Sequence, residues 1–294
     1  MRRAALIVNP KASRVTPPLV NAVMAELAEA GPVEKLVTER PKHATELASA
    51  LGRSVDALYV LSGDGGYNEV VNGVAAGVRI GFLPGGATSV LPRALGLPRD
   101  PVAAARRLGR SQAERRISLG HVNGRRFTFC SGIGLDAELV RAIDELGRTD
   151  GRRPSDAAFI RELGRILRRR GWLVEPSMTV DGHGRVAFAV ATNCDPYTYA
   201  GRLSVHATPE ATFEAGIDLV GPRQLDRSGF AKLTWSLLVH PTHQRSPNYL
   251  YLHDADRIVV RCDSPTPLQV DGEDLGDITE VVLESERDAL TVLV

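Results

Sequence analysis

The run Ser62-Gly63-Asp64-Gly65-Gly66-Tyr67-Asn68-Glu69 sets one carboxylate among three glycines. It follows the apolar residues Ala57-Leu58-Tyr59-Val60, which read as a buried strand, and it leads into apolar positions at helical spacing. Glycine lets main-chain N–H groups approach an anion closely, and a helix start adds partial positive charge. The chemistry that fits is phosphate binding, with Asp64 placed to meet a metal–phosphate complex. Taken alone, the cluster reads equally well as a strand-to-helix turn with a capping aspartate. Two other groups draw attention. Arg161, Arg165, Arg168, Arg169 and Arg170 share a helical stretch with Ile160, Leu163, Ile166 and Leu167, followed by Trp172. Such a helix could rest on anionic headgroups or simply cover a core with a solvated basic face. His240 and His243 are three apart, but Pro241 breaks the helix between them, so no metal site is expected there.

Positioning such a loop requires a scaffold, and the first third of the chain supplies the pattern of one. Strand-like residues 4–8, 33–37, 56–61 and 78–83 alternate with helix-like residues 17–27, 41–51, 68–76 and 101–108, the last opened by Asp100 as cap and Pro101. This alternation implies a doubly wound parallel α/β sheet whose ligands bind beyond the carboxyl ends of its strands. Asn9-Pro10, residues 62–68 and residues 84–89 each follow a strand and are expected at one crevice. After about Glu114 the texture changes. Short strand-like runs at 117–122, 126–130, 177–180, 186–192, 203–207, 217–220, 257–261, 268–270, 281–283 and 290–294 are broken by turn signals such as Asn123-Gly124 and Asp181-Gly182. Two helices, 136–146 and 155–170, interrupt them. The expectation is an N-terminal α/β domain over 1–115 and a C-terminal antiparallel β-sandwich domain over 116–288, with 147–154 as a polar, basic, mobile loop.

The chain has 294 residues, 43% hydrophobic and 24% charged, with a formal net charge of +1. These are the proportions of a soluble globular protein with ample core, and they exclude a generic basic footprint for nucleic acid. Aromatic residues at 5% argue against a stacking platform for single strands. Cys130, Cys194 and Cys262 are far apart and odd in number, as in a reduced intracellular protein. The apolar run after Met1-Arg2-Arg3 ends at Asn9-Pro10, too short for a signal core, and no segment is long enough to span a bilayer.

The motifs together resemble the diacylglycerol kinase catalytic family of bacterial lipid kinases, which includes relatives of sphingosine kinases. Val8-Asn9-Pro10 is similar to the family's opening. Residues 62–73 resemble its glycine signature through Asn68-Glu69 and Asn72-Gly73. Gly81-Phe82-Leu83-Pro84-Gly85-Gly86, with Arg93 and Leu95-Gly96-Leu97-Pro98, resembles its second glycine loop. Gly132-Ile133-Gly134-Leu135-Asp136-Ala137 and Val270-Asp271-Gly272-Glu273 resemble two later segments. The resemblance implies an ATP-dependent kinase in which the α/β domain holds the nucleotide, the β-rich domain helps hold a lipid, and residues 289–294 return to complete the first domain.

By the same resemblance, ATP is contacted by Asn9, Pro10, Lys11, Ala12, Ser13, Thr38, Gly63, Asp64, Gly65, Gly66, Tyr67, Asn68, Glu69 and Ala87, with Asp64 supporting Mg²⁺. Asn9 reads equally as a turn residue, Thr38 as a strand-end cap, and Glu69 as ordinary first-turn helix chemistry. Asp271 and Glu273 become the general-base candidates, because an attacking alcohol needs a carboxylate to take its proton. Without the resemblance they read as a turn with two solvated acids. Asp136 has helix capping as its plain role. The expected partners are a lipid substrate and, peripherally, a membrane at its inner, cytoplasmic face, with room for a homodimer and none for nucleic acid.

Four departures from the family pattern stand out. Ser62 replaces the first signature glycine. Gly66 stands where threonine is usual. Ala87-Thr88-Ser89-Val90 replaces a segment that often carries an asparagine and an aspartate, leaving the hydroxyls of Thr88 and Ser89. Ala215 replaces an aspartate of a structural Mg²⁺ site, whose equivalent positions here are Thr212, Ala215 and Ile217, so that second site is not expected. The leading reading is transfer of the γ-phosphate of ATP to the hydroxyl of a diacylglycerol-like or sphingoid lipid. A binding protein with degraded catalysis, and a kinase for a soluble substrate related to NAD kinases, stay open beside it.

Overall fold

The computed structural model describes residues 3–111, 113–147 and 154–294. The chain divides into two compact units, Met1–Leu119 with Arg287–Val294, and Gly120–Glu286.

The first unit is the α/β fold. Its elements are β1 (Ala4–Val8), α1 (Pro17–Ala28), β2 (Val33–Val37), α2 (His43–Leu51), β3 (Ala57–Ser62), α3 (Asp64–Val71), β4 (Arg79–Pro84), α4 (Val90–Ala94), α5 (Pro101–Arg110) and β5 (Glu114–Val122). All six residues of β3 are buried, as a parallel strand covered on both faces requires. The parallel neighbours run β4–β3–β1–β2. Thr291 and Val292 pair in parallel with Arg79 and Ile80 and so add a strand beside β4. Because β2 lies on one side of β1 and β3 on the other, right-handed crossovers send α1 and α2 to opposite faces. The packing agrees. Gly109 of α5 lies against the Glu26 carbonyl of α1, and Gly73, just after α3, lies against Thr45 of α2. The switch in direction between β1 and β3 is where such sheets open a crevice.

Helix starts follow local chemistry. Thr16 and Asp100 cap α1 and α5 by accepting N–H bonds from Leu19 and Ala103, each ahead of a proline. One start differs from expectation. The α3 helix begins at Asp64, not at Asn68, so Gly65 and Gly66 are its first turn and not a loop before it. Low helix propensity hides such a start in sequence, because the first turn has no intrahelical N–H bonds to lose.

The second unit is strand-rich and antiparallel. It contains β6 (Arg125–Phe127), β7 (Cys130–Ile133), α6 (Leu135–Glu145), α7 (Asp156–Arg169), β8 (Met178–Val180), β9 (Gly184–Val186), β10 (Ala189–Thr192), β11 (Thr198–Ala200), β12 (Leu203–Val205), β13 (Ile217–Pro222), α8 (Arg227–Leu238), β14 (Tyr249–Ala255), β15 (Arg257–Val270) and β16 (Glu273–Leu293), whose last residues belong to the first unit. Strand neighbours run β14–β13–β10–β7–β15–β16. Asn123 and Gly124, both at positive φ, close the β5–β6 hairpin as a primed turn demands.

Alternation decides the two cores. Ala189, Ala191 and Leu219 point into an all-strand core with Phe127, Ile133, Val260 and Leu283. Phe188, Val190 and Val220 point the other way, against Leu135, Ile166, Leu167 and Leu233 of the three helices. Several details depart from expectation. The run 186–192 is broken at residues 187–188, where the Ala187 N–H turns to the Pro222 carbonyl. Helix α8 and strand β14 were not anticipated. On α7, Ile166 and Leu167 are buried but Ile160 is 73% exposed, and Arg161 and Arg165 pair with the buried Glu162. Trp172, just after α7, packs edge-on against Phe230 beneath Arg227. The loop expected at 147–154 lies, over 148–153, outside the described residues.

Candidate functional site

In the first unit, three loops leave the same edge of the sheet. Val8 is level with Leu61, and Ser62 with Pro84, so residues 9–15, 63–66 and 84–90 start side by side. They are tied together. The Asn9 N–H donates to the Leu61 carbonyl, Arg14 N–H to Gly85, and Gly85 N–H to Ser62. The glycines are needed for this approach: a methyl on Gly86 would sit 2.8 Å from the Gly63 Cα, and one on Gly85 2.9 Å from the Ser62 carbonyl oxygen. Gly65 has open space around it. Asp64 accepts the Val90 N–H at 2.7 Å, joining the starts of α3 and α4. Two helix N-termini and two glycine turns thus meet at the sheet's carboxyl edge, an arrangement suited to an anion.

Each expected residue has a definite place. Asn9 Oδ1 accepts the Lys11 N–H, shaping the loop of Pro10, Lys11, Ala12 and Ser13. Thr38 follows β2 at the same edge, its N–H bonded to the Val8 carbonyl. Ala87 is exposed in the second glycine loop. The Ser89 hydroxyl accepts the Gly86 N–H, so it shapes that loop instead of facing a ligand. The Tyr67 side chain is part of the core. It is fully buried, and its hydroxyl bridges the Ser62 and Leu83 carbonyls at 2.7 and 2.8 Å. Burial holds that phenol far above its usual range. Asn68 is also buried and accepts from Asn72. Glu69 accepts the N–H groups of Lys42 and Ala44, and so caps α2, whose own cap residue offers no side-chain bond.

Among the described residues no three His, Cys, Asp or Glu side chains converge on a metal position. Asp64 is the acid at the glycine cup. This donor set fits an ion carried on nucleotide phosphates and held by water and one carboxylate, the usual habit of Mg²⁺. In the second unit, the Gly216 N–H beside Ala215 donates to Asp254, and buried Asp218 accepts from Tyr251 and from the Asp254 N–H.

Also in the second unit, Asp271 departs from the expected role of a base. It is buried, sits at φ 49°, and accepts four bonds, from the N–H groups of Thr128, Phe129 and Cys130 and from the Thr128 hydroxyl. A carboxylate so saturated anchors the 128–130 turn and has little left for a substrate proton. Glu273 is half-exposed and pairs with Arg125 at 2.5 Å. Asp136, on the first turn of α6, accepts from Tyr197 Oη at 2.5 Å and Gln269 Nε2 at 2.7 Å. Burial raises its pKa, and raises those of Tyr197 and Cys130 further.

Asp136 and Tyr197 stand at the edge of a cavity of about 270 Å³ inside this unit, walled by Leu139, Phe188, Val190, Phe230, Leu233 and Leu237. Sequence reasoning missed this wall because it missed α8. The signal was present: Asp226 caps the helix through the Gly229 N–H, and Phe230, Leu233 and Leu237 fall on one face. His243 also borders the cavity, held between the Ala207 carbonyl and the Ser236 hydroxyl. The His240–His243 pair is therefore structural on its buried side.

Comparison with known proteins agrees with this anatomy. Residues 3–122 match the diacylglycerol kinase catalytic domain. A Bacillus subtilis (strain 168) diacylglycerol kinase is 33% identical over 152 residues, 48% of either chain. A Staphylococcus saprophyticus diacylglycerol kinase is 32% identical over 132 residues, 43% of either chain. The matched stretch thus spans about half the length of these curated relatives. A crystal structure of a Bacillus anthracis (strain Sterne) diacylglycerol kinase superimposes with a TM-score of 0.74 at 18% identity, over 99% of this chain and 96% of that one. A second structure from that strain, provisionally assigned to the same kinases, gives 0.78 at 21% over 99% and 96%. The fold of these structures is therefore shared across the chain, and residues 3–122 are similar to the diacylglycerol kinase catalytic domain.

Proposed function

We propose that the protein is an ATP- and Mg²⁺-dependent lipid kinase that transfers the γ-phosphate to a hydroxyl of a diacylglycerol-like or sphingoid lipid. The observation that carries this reading is the apolar cavity of the second unit, edged by Asp136 and Tyr197, in a chain whose first unit is similar to a diacylglycerol kinase catalytic domain. An apolar wall with one polar end suits an acyl or alkyl chain ending in a polar headgroup. Each methylene taken from water into such a cavity contributes about 0.8 kcal/mol, so acceptor preference should rise with chain length until the cavity is full.

In this reading the phosphates lie at the start of α3, where Gly65 leaves open space, and Asp64 steadies the ion they carry. Mg²⁺ when bound neutralises charge developing on the transferred group. Glu273, and not Asp271, takes the proton as the lipid oxygen bonds to Pγ and the bond from Pγ to ADP breaks. Arg125 holds the Glu273 carboxylate in place through their ion pair. No described helix is long and apolar enough to cross a membrane, so the lipid would be met at a cytoplasmic membrane surface by peripheral contact.

The test is incubation of the purified chain with γ-labelled ATP, Mg²⁺ and a panel of dispersed diacylglycerols, sphingoid bases and soluble alcohols. Label should enter a lipid, and Ala207→Leu, which fills the cavity, should abolish that transfer while ATP binding persists. Label in no product would leave a binding protein; label only in soluble products would point to another kinase class.

A further inference from the structure

Two of the departures in the glycine loop are one event in space. A methyl on Gly66 would lie 2.0 Å from Ser62 Oγ and 2.8 Å from Ser62 Cβ, so the Ser62 side chain occupies the volume that any side chain at 66 would need. Position 62 ends β3 and position 66 completes the first turn of α3, so both face the junction of strand and helix. The exchange therefore moves a hydroxyl from one side of that junction to the other. It does not delete it.

Ser62 is 1% exposed, and its Oγ is buried with no hydrogen-bond partner. A buried hydroxyl left unmatched is destabilising, and a water, ion or ligand group can supply the missing partner. The Asn9 side-chain amide nitrogen lies on the same side, 3.9 Å from the would-be methyl on Gly66. Its own oxygen is already engaged by the Lys11 N–H. Both groups sit between the ends of β1 and β3, at the switch point of the sheet and beneath a helix N-terminus.

We propose that Ser62 is a phosphate-binding residue of this chain, its hydroxyl donating with the Asn9 amide toward a nucleotide phosphate, directly or through one water. Gly66 is its obligate complement. This rests on the reading of the first unit as an ATP site and names a residue that the usual signature would not.

The experiment measures ATP, ADP and adenosine binding by calorimetry, with thermal unfolding of the same samples, for the parent chain and for Ser62→Ala, Gly66→Thr and the double variant Ser62→Gly/Gly66→Thr. Ser62→Ala should melt no lower than the parent but bind ATP and ADP about tenfold more weakly, which is about 1.4 kcal/mol, with adenosine unchanged. Gly66→Thr should melt well below the parent, and the double variant should recover both melting temperature and ATP affinity. Ser62→Ala binding ATP as tightly as the parent, or a double variant no better than Gly66→Thr, overturns the proposal. A parent that binds no nucleotide overturns the ATP-site reading as well, which separates the two failures.

Discussion

Replacing Asp271 separates an anchor from a base more sharply than any other change. Its carboxylate receives three N–H bonds and one hydroxyl bond from residues 128–130, all at 2.7 to 3.1 Å and all buried. Asp271→Ala strands those four donors. At about 1–3 kcal/mol for each stranded group, discounted because one residue serves all four and water can enter, the expected loss is about 3–6 kcal/mol. That is a large part of the 5–15 kcal/mol that holds a typical domain together. Asp271→Asn keeps the shape but turns one acceptor into a donor facing donors, so about 2–4 kcal/mol should still be lost. Urea unfolding monitored by tryptophan fluorescence reads both, since Trp172 and Trp235 lie in the same unit. An Asp271→Asn protein with parental stability and selectively lost phosphate transfer would refute the anchoring role and restore Asp271 as the base.

Three further outcomes are expected. Tyr67→Phe removes the hydroxyl that bridges Ser62 and Leu83; stability should fall by about 1–2 kcal/mol in a thermal melt, with ATP affinity kept if the side chain serves only packing. Glu69→Gln weakens the cap on α2; about 1 kcal/mol should be lost, and the amide N–H groups of Lys42 and Ala44 should exchange faster in a hydrogen-exchange measurement. Burial holds the His243 imidazole below its ordinary value of 6.5. The folded state then binds fewer protons than the unfolded one, so this residue's contribution is present above 6.5 and is lost as pH falls from 6.5 toward the lower native value. Melting temperature followed from pH 7.5 to 5 should drop more steeply for the parent than for His243→Asn.

The α/β half was legible because its rules are local and repetitive. Apolar runs the length of one strand, proline-led helices and the caps at Thr16 and Asp100 each announce themselves within a few residues. The same holds for Asn123-Gly124, whose turn depends on two positive φ values that this pair adopts readily. Legibility failed where the deciding partner is distant in sequence. Asp271 and Glu273 look alike at two-residue spacing, yet one is saturated by residues 128–130 and the other half-exposed beside Arg125. Helix α8 was obscured by its glycine, serine and threonine residues, which local propensity penalises and burial against Phe188 and Val220 outweighs.

By itself, the sequence determined the strand and helix alternation of the α/β half, the glycine loops at strand ends and the kinase family they resemble, because those depend on residue type and short spacing. Only the tertiary structure decided that Tyr67 is core, that Glu69 serves another helix, that Ser62 and Gly66 share one volume, and that the second unit carries an apolar cavity. Each of these is a matter of which groups exclude water together, and water exclusion is settled by three-dimensional packing between segments far apart in the chain.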